Sequence, residues 1–240
     1  MKLEICANSF QSALNAQIAG ADRIELCSEL ALGGITPSHG LIEKVVSELD
    51  IEVYVLIRPR SGNFTFTDEE FDVLKRDIEF CKQIGCHGIV SGVLRNDYTI
   101  DIERTKQLIE LSSPLDFTFH RAFDLIPNAV EGLQYLMDIG VPRILSSGQQ
   151  PTAEQGLTLL KKLLQLSESK ISIMPGAGIH AANVRVFKEA GFTEIHCSAS
   201  SVIKNDYTPK LSMSSSQAFD ESNYTVSDIE KIRNIRAAIL

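Results

Sequence analysis

A TIM-like (β/α)8 barrel built as a single domain over residues 1–240 is the fold this sequence predicts, and three observations predict it. Short β-prone runs alternate with longer helical patterns from end to end. A length of 240 residues with 44% hydrophobic content suits one barrel and its core. Gly20, Gly85, Gly140 and Gly191 each follow an apolar helical stretch and precede a strand, where a helix end favours a residue of positive φ. A doubly wound open sheet shares this local pattern, and the count of eight βα units decides for the barrel.

The first strand is expected at 2–7, with Leu3 and Ile5 toward the helices and Glu4, Cys6 and Asn8 toward the axis, because side chains alternate along a strand. A helix at 10–19 follows. The strand at 23–27 sends Ile24 and Leu26 outward and Arg23, Glu25 and Cys27 inward, before a helix at 40–49. In the third strand, 52–58, Val53, Val55 and Ile57 face outward while Leu56, Arg58 and then Arg60 face inward. The helix at 68–84 opens on Thr67-Asp68-Glu69-Glu70, which has the spacing of a capping box.

A strand at 88–91 and a helix at 101–112 come next. The strand at 116–120 places Phe117 and Phe119 outward and Thr118 and His120 inward, and Pro127 marks the start of a helix at 128–139. The strand at 143–146 precedes a helix at 153–167. The apolar run from Ile171 gives a strand at 171–174 that enters Met174-Pro175-Gly176-Ala177-Gly178-Ile179 before a helix at 181–190. The eighth strand, 194–197, turns Ile195 and Cys197 outward and His196 and Ser198 inward. An extended loop at about 202–225, containing Asn205-Asp206-Tyr207-Thr208-Pro209 and Ser212-Met213-Ser214-Ser215-Ser216, is expected over the mouth of the barrel, before a last helix at 227–239.

Composition narrows the function. The formal charge of −8 comes from 31 acidic and 23 basic residues with no Lys/Arg block, which argues against a nucleic-acid partner. No window approaches the roughly 18 to 20 apolar residues that cross a bilayer. The chain enters a strand at Lys2 without a targeting stretch, so a cytoplasmic location is expected. Five cysteines, an odd number with no tight Cys-x-x-Cys, point to reduced thiols rather than a disulfide framework or a zinc knuckle.

The inward set brings Glu4, Glu25, Arg58, His120 and His196 to the strand ends, where a dry core would not tolerate them unpaired. One account is structural, with Glu25 pairing Arg58 on the neighbouring strand. The other is catalytic. His120 would then transfer a proton, Glu4 or Glu25 would orient it or act as its partner, and Arg58 and Arg60 would hold a carboxylate, enolate or phosphate. Glycine-containing loops after strands seven and eight add Gly176, Gly178 and Ser198 as contacts for an anion. The loops match neither a phosphate-binding loop nor a dinucleotide fingerprint, so no nucleotide or organic cofactor is expected. Cys6 and Cys27, inward on adjacent strands, would bring two soft sulfurs together in a site suited to Cu(I). Cys81, Cys86 and Cys197 read as core.

Leu3-Glu4-Ile5-Cys6, Gly20-Ala21-Asp22-Arg23-Ile24-Glu25-Leu26-Cys27, Gly33-Gly34-Ile35-Thr36-Pro37-Ser38, Ile57-Arg58-Pro59-Arg60, Thr118-Phe119-His120-Arg121-Ala122-Phe123-Asp124, Leu145-Ser146-Ser147-Gly148-Gln149, Gly176-Ala177-Gly178 and Leu211-Ser212-Met213-Ser214-Ser215 occur in this order along the chain. With these stretches the sequence resembles the CutC family, assigned to copper homeostasis. The resemblance implies a TIM-like barrel, a cytoplasmic homo-oligomer with a dimer favoured, and a Cu(I)-related role for Cys6 and Cys27. Two functions therefore stand: a copper homeostasis protein binding Cu(I) through cavity thiolates, and a barrel enzyme acting on a small anionic metabolite.

Overall fold

The computed structural model describes residues 1–204 and 222–240. Eight parallel strands form the barrel wall: β1 Lys2–Ala7, β2 Arg23–Leu26, β3 Glu52–Leu56, β4 Gly88–Ser91, β5 Asp116–Phe119, β6 Arg143–Ser146, β7 Ser172–Pro175 and β8 Glu194–Cys197. Hydrogen-bonded ladders run β7-β6-β5-β4-β3-β2-β1-β8, and β7 and β8 lie side by side to complete the barrel. The helices are α1 Phe10–Ile18, α2 His39–Glu48, α3 Asp68–Gln83, α4 Ile102–Ser112, α5 Ala129–Asp138, α6 Leu157–Leu166, α7 Val184–Glu189 and α8 Ile229–Ile239. Among the described residues no helix is long and apolar enough to cross a membrane.

The alternation expected of the strands is what the burial shows. Leu3, Ile5, Ile24, Leu26, Val53, Val55 and Ile57 belong to the core between strands and helices, together with Phe117, Phe119 and Ile195. A second, smaller apolar cluster fills the inside of the barrel and contains Cys6, Cys27, Tyr54, Leu56 and Val90. At the helix ends Thr67 and Glu70 form the expected capping box, and the four glycines after helices α1, α3, α5 and α7 all have positive φ.

Several bounds differ from expectation, among them β3, which ends at Leu56 rather than 58, and α7, which begins at Val184 rather than 181. Helix α6 begins at Leu157 rather than 153, because Gly156 lies against the backbone of Ser147 and Gly148 so closely that a Cβ there would meet the Ser147 carbonyl oxygen at 1.9 Å. The segment after β8 is not loop at its ends: β9 Ser200–Lys204 and β10 Asn223–Ser227 pair antiparallel as a small separate sheet. This sheet is tied to the end of β1, where Asn8 donates to Thr225 and Ser227 Oγ donates to the Cys6 carbonyl. The expected stretches Asn205 to Pro209 and Ser212 to Ser216 lie outside the described residues.

Candidate functional site

Parallel register builds the site in layers. Glu4 on β1 is aligned with Arg23 on β2 and with His196 on β8, so three ionisable side chains meet inside the barrel. Glu4 is 1% exposed. One carboxylate oxygen is 2.7 Å from His196 Nδ1, and the other accepts from Arg23 Nε. Burial by itself would push the Glu4 carboxyl up, but the Arg23 guanidinium and His196 hold it down at about 2. Arg23 also donates to Glu194 at 2.6 Å and stacks on the Tyr54 ring. Glu194 accepts from Arg143 at 2.8 Å, and Arg143 donates to Asp116, which also accepts a hydrogen bond from the Tyr54 hydroxyl at 2.5 Å. This charged floor uses the first residues of β2, β5, β6 and β8. It closes the barrel below the site with buried charges that are paired.

Above the floor lies a cavity of about 290 Å³. Cys6, Glu25 and His196 line one wall, Arg58, Phe64 and His120 the other. Cys6 Sγ and Cys27 Sγ are 3.5 Å apart, with Cys27 wholly buried behind Cys6. The shared thiol hydrogen bond, burial and the nearby Glu25 carboxyl together raise the Cys6 thiol well above its ordinary value. Glu25 is raised by burial. His196 Nε2 is 3.4 Å from Glu25, and although burial opposes protonation, Glu25 and Glu4 raise His196 overall. One ligand atom each from Cys6, Glu25 and His196 falls within 4.8 Å of the others, the spacing of a candidate metal centre.

Arg58 does not pair with Glu25, so the structural account of that pair fails. Its Nη1 donates to the carbonyls of Leu32 and Gly34 at 3.1 and 2.8 Å, and its Nη2 to Gly62 at 2.7 Å. The backbone N–H of Arg58 donates to Thr36 Oγ1. The Gly33-Gly34-Ile35-Thr36 and Ile57-Arg58 stretches thus hold one another. Gly34 has positive φ, and a Cβ there would meet Leu56 at 2.6 Å. His120 caps the 3-10 turn Arg121–Leu125, its Nδ1 accepting from the Ala122 N–H at 3.3 Å. It fits because residue 92 is glycine, where a Cβ would lie 2.8 Å from His120 Nδ1. Burial and the Arg58 charge push His120 down to about 3. It is therefore a neutral ring near pH 7.

The remaining expected residues separate. Glu4 lies in the floor, not on the cavity wall. Arg60 turns away, donating to Glu70 at 2.5 and 3.1 Å and to the Thr65 carbonyl at 2.8 Å. Gly178 and Ser198 line the cavity, and Gly176 does not. A Cβ at Gly176 would meet Leu145 at 2.5 Å, so this glycine serves packing. Asp124 binds the Ser146-to-Gln149 loop, accepting from Ser146 Oγ at 2.6 Å and from the N–H of Ser147 and Gln149. His196 at the metal-type cluster was readable only as an inward residue, and the floor residues Asp116, Arg143 and Glu194 were not read at all. Their one signal is a charge at the first position of a strand.

The match to a family model described as the CutC family spans residues 1–201. This chain belongs to the CutC family. A CutC family protein of Photorhabdus laumondii is 45% identical over 229 residues, covering 94% of this chain and 92% of the relative. The human protein named copper homeostasis protein cutC homolog is 40% identical over 239 residues, covering 98% and 88%. Among solved structures, a CutC protein from Streptococcus agalactiae superposes with a TM-score of 0.78 at 32% identity, covering 82% of this chain and 98% of that one. A 3-hexulose-6-phosphate synthase, with a TM-score of 0.61 at 14% identity over the full length of both chains, shares the barrel fold.

Proposed function

We propose that this CutC-family chain acts in copper homeostasis by holding Cu(I) between Cys6 and Cys27. The observation that carries the reading is the pair of buried thiols 3.5 Å apart at the wall of a cavity. Thiolate sulfur is the soft donor that suits Cu(I), and the low-polarity cluster of Leu56, Tyr54 and Val90 around the pair shields the metal from water. Cu(I) would take the place of the protons the two thiols now share. The His196 ring and Glu25 stand beside Cys6 as further donors, with the imidazole the softer of the two. The human relative's name, copper homeostasis protein cutC homolog, supports the same role.

Competition of the reduced protein against a Cu(I)-specific chromophoric chelator tests this reading. The Cys6→Ser, Cys27→Ser double variant is expected to lose roughly a hundredfold or more in affinity, because both soft donors are gone. Cys197→Ser is the control. That thiol packs with the outer core rather than with the cluster that holds Cys6 and Cys27, so its removal leaves Cu(I) affinity unchanged. Native affinity in the double variant would rule out the thiol site.

A further inference from the structure

The cavity lining that follows β3 and β5 has hydrogen-bonding capacity that no described residue uses. Arg58 is 5% exposed and carries five N–H donors, of which three go to carbonyls. Its Nε is buried and, among the described residues, has no partner. Burial, and then the neighbouring Arg60 cation, lower its proton affinity, and among the described residues no carboxylate pairs with it. His120, also 5% exposed, has its Nδ1 occupied as an acceptor, so the neutral ring carries its proton on Nε2. That Nε2 is likewise buried without a partner. Phe64 bridges the two groups, its ring 4.6 Å from the His120 ring and 4.7 Å from the Arg58 guanidinium carbon.

Two orphan donors and one unbalanced positive charge on the wall of one cavity describe a receptor for a small anion. Leaving such donors unpaired is costly, more so for a charged group, and a ligand that satisfies them offsets that cost. We propose that Arg58 and His120 bind the carboxylate of a small organic acid in this cavity. A monoanion matches the single uncompensated charge, and a planar carboxylate offers two acceptor oxygens to the two donors. A phosphate dianion is the poorer match, because it brings a second charge and a third oxygen toward the Glu25 carboxyl across the cavity. The cavity of about 290 Å³ has room for a small organic acid. The partly buried Phe64 ring is the side chain that shifts to admit the acid. This site is separate from the thiol pair, and it supplies the substrate class that an enzymatic function of the barrel would use.

Calorimetric titration of the reduced, metal-free full chain with acetate, propionate, lactate and pyruvate tests the proposal, with lactamide and inorganic phosphate as controls. At least one carboxylate is expected to bind at a single saturable site. Its affinity should fall about tenfold or more in Arg58→Lys and in His120→Phe, each of which removes a donor. Circular dichroism checks the folded state. Should Arg58→Lys fail to fold because its loop contacts are lost, His120→Phe alone decides. The Cys6→Ser, Cys27→Ser variant should keep carboxylate affinity, so failure of the copper site and failure of this one are distinguishable. Absence of saturable binding by every carboxylate, unchanged affinity in the folded variants, or equal binding of lactamide or phosphate would overturn the proposal.

Discussion

Glu4→Ala is expected to destabilise the protein by roughly 3 to 5 kcal/mol, the range for removing one partner of a buried ion pair. The carboxylate is aligned by register between Arg23 and His196 and binds both. Its loss leaves Arg23 with Glu194 alone and leaves His196 facing only Glu25. Glu4→Gln keeps an acceptor near His196 but removes the charge, and should cost less than the alanine variant. Urea unfolding of the two variants against the parent measures both. A loss below about 1 kcal/mol in Glu4→Ala would mean that the charged floor relaxes onto Glu194 and that the layer is not cooperative.

The second large effect is a pH dependence from His120. Its folded value of about 3 lies below the roughly 6.5 of an unfolded histidine, so folding favours the neutral ring. The contribution of His120 is therefore fully present above about pH 6.5. It is lost as the pH falls from there toward 3, where the unfolded chain takes up a proton and the folded chain does not. Across that window the loss amounts to a few kcal/mol, at about 1.4 kcal/mol per pH unit. His196 has the opposite sign. Its folded value is raised, so its stabilisation is present at low pH and fades as the pH rises through that value. Comparing His120→Gln with the parent cancels His196 and Glu4, which both proteins share. The stability difference between the two should shrink from pH 7 to pH 4.5, and a constant difference would contradict the depressed value.

Strand parity carried most of what was legible beforehand. Alternation alone placed Glu4, Cys6, Glu25, Arg58, His120 and His196 inside the barrel, because one buried face fixes the register of every residue on a strand. Parity cannot say which inward groups meet. Glu25 lies near His196 rather than Arg58, since β8 closes against β1 and brings His196 to the cavity wall beside Glu25. Arg58 turns instead to the carbonyls of Leu32, Gly34 and Gly62, partners that belong to loops and leave no periodic trace. Arg60 shows the limit of extrapolating a strand past its end: β3 stops at Leu56, and the side chain four residues later answers to Glu70 on α3. The β9–β10 pair was hidden for a related reason. Its strands are short and half-exposed, and they pair with each other rather than with the barrel, so neither a hydrophobic run nor a place in the βα rhythm announces them.

The cavity therefore has two differently built walls. One offers sulfur, imidazole and carboxylate within 4.8 Å around Cys6, and the other offers N–H donors from a cation and a neutral ring. The charged floor touches the first wall through Glu4 and His196 and leaves the donors of the second free. X-ray absorption at the copper edge of the reduced protein loaded with one equivalent of Cu(I) identifies the metal's ligands directly. Coordination dominated by sulfur, falling by one sulfur in Cys6→Ser and by one in Cys27→Ser, is the result predicted for a thiol-held Cu(I). A nitrogen and oxygen shell without sulfur, unchanged in either variant, would contradict it.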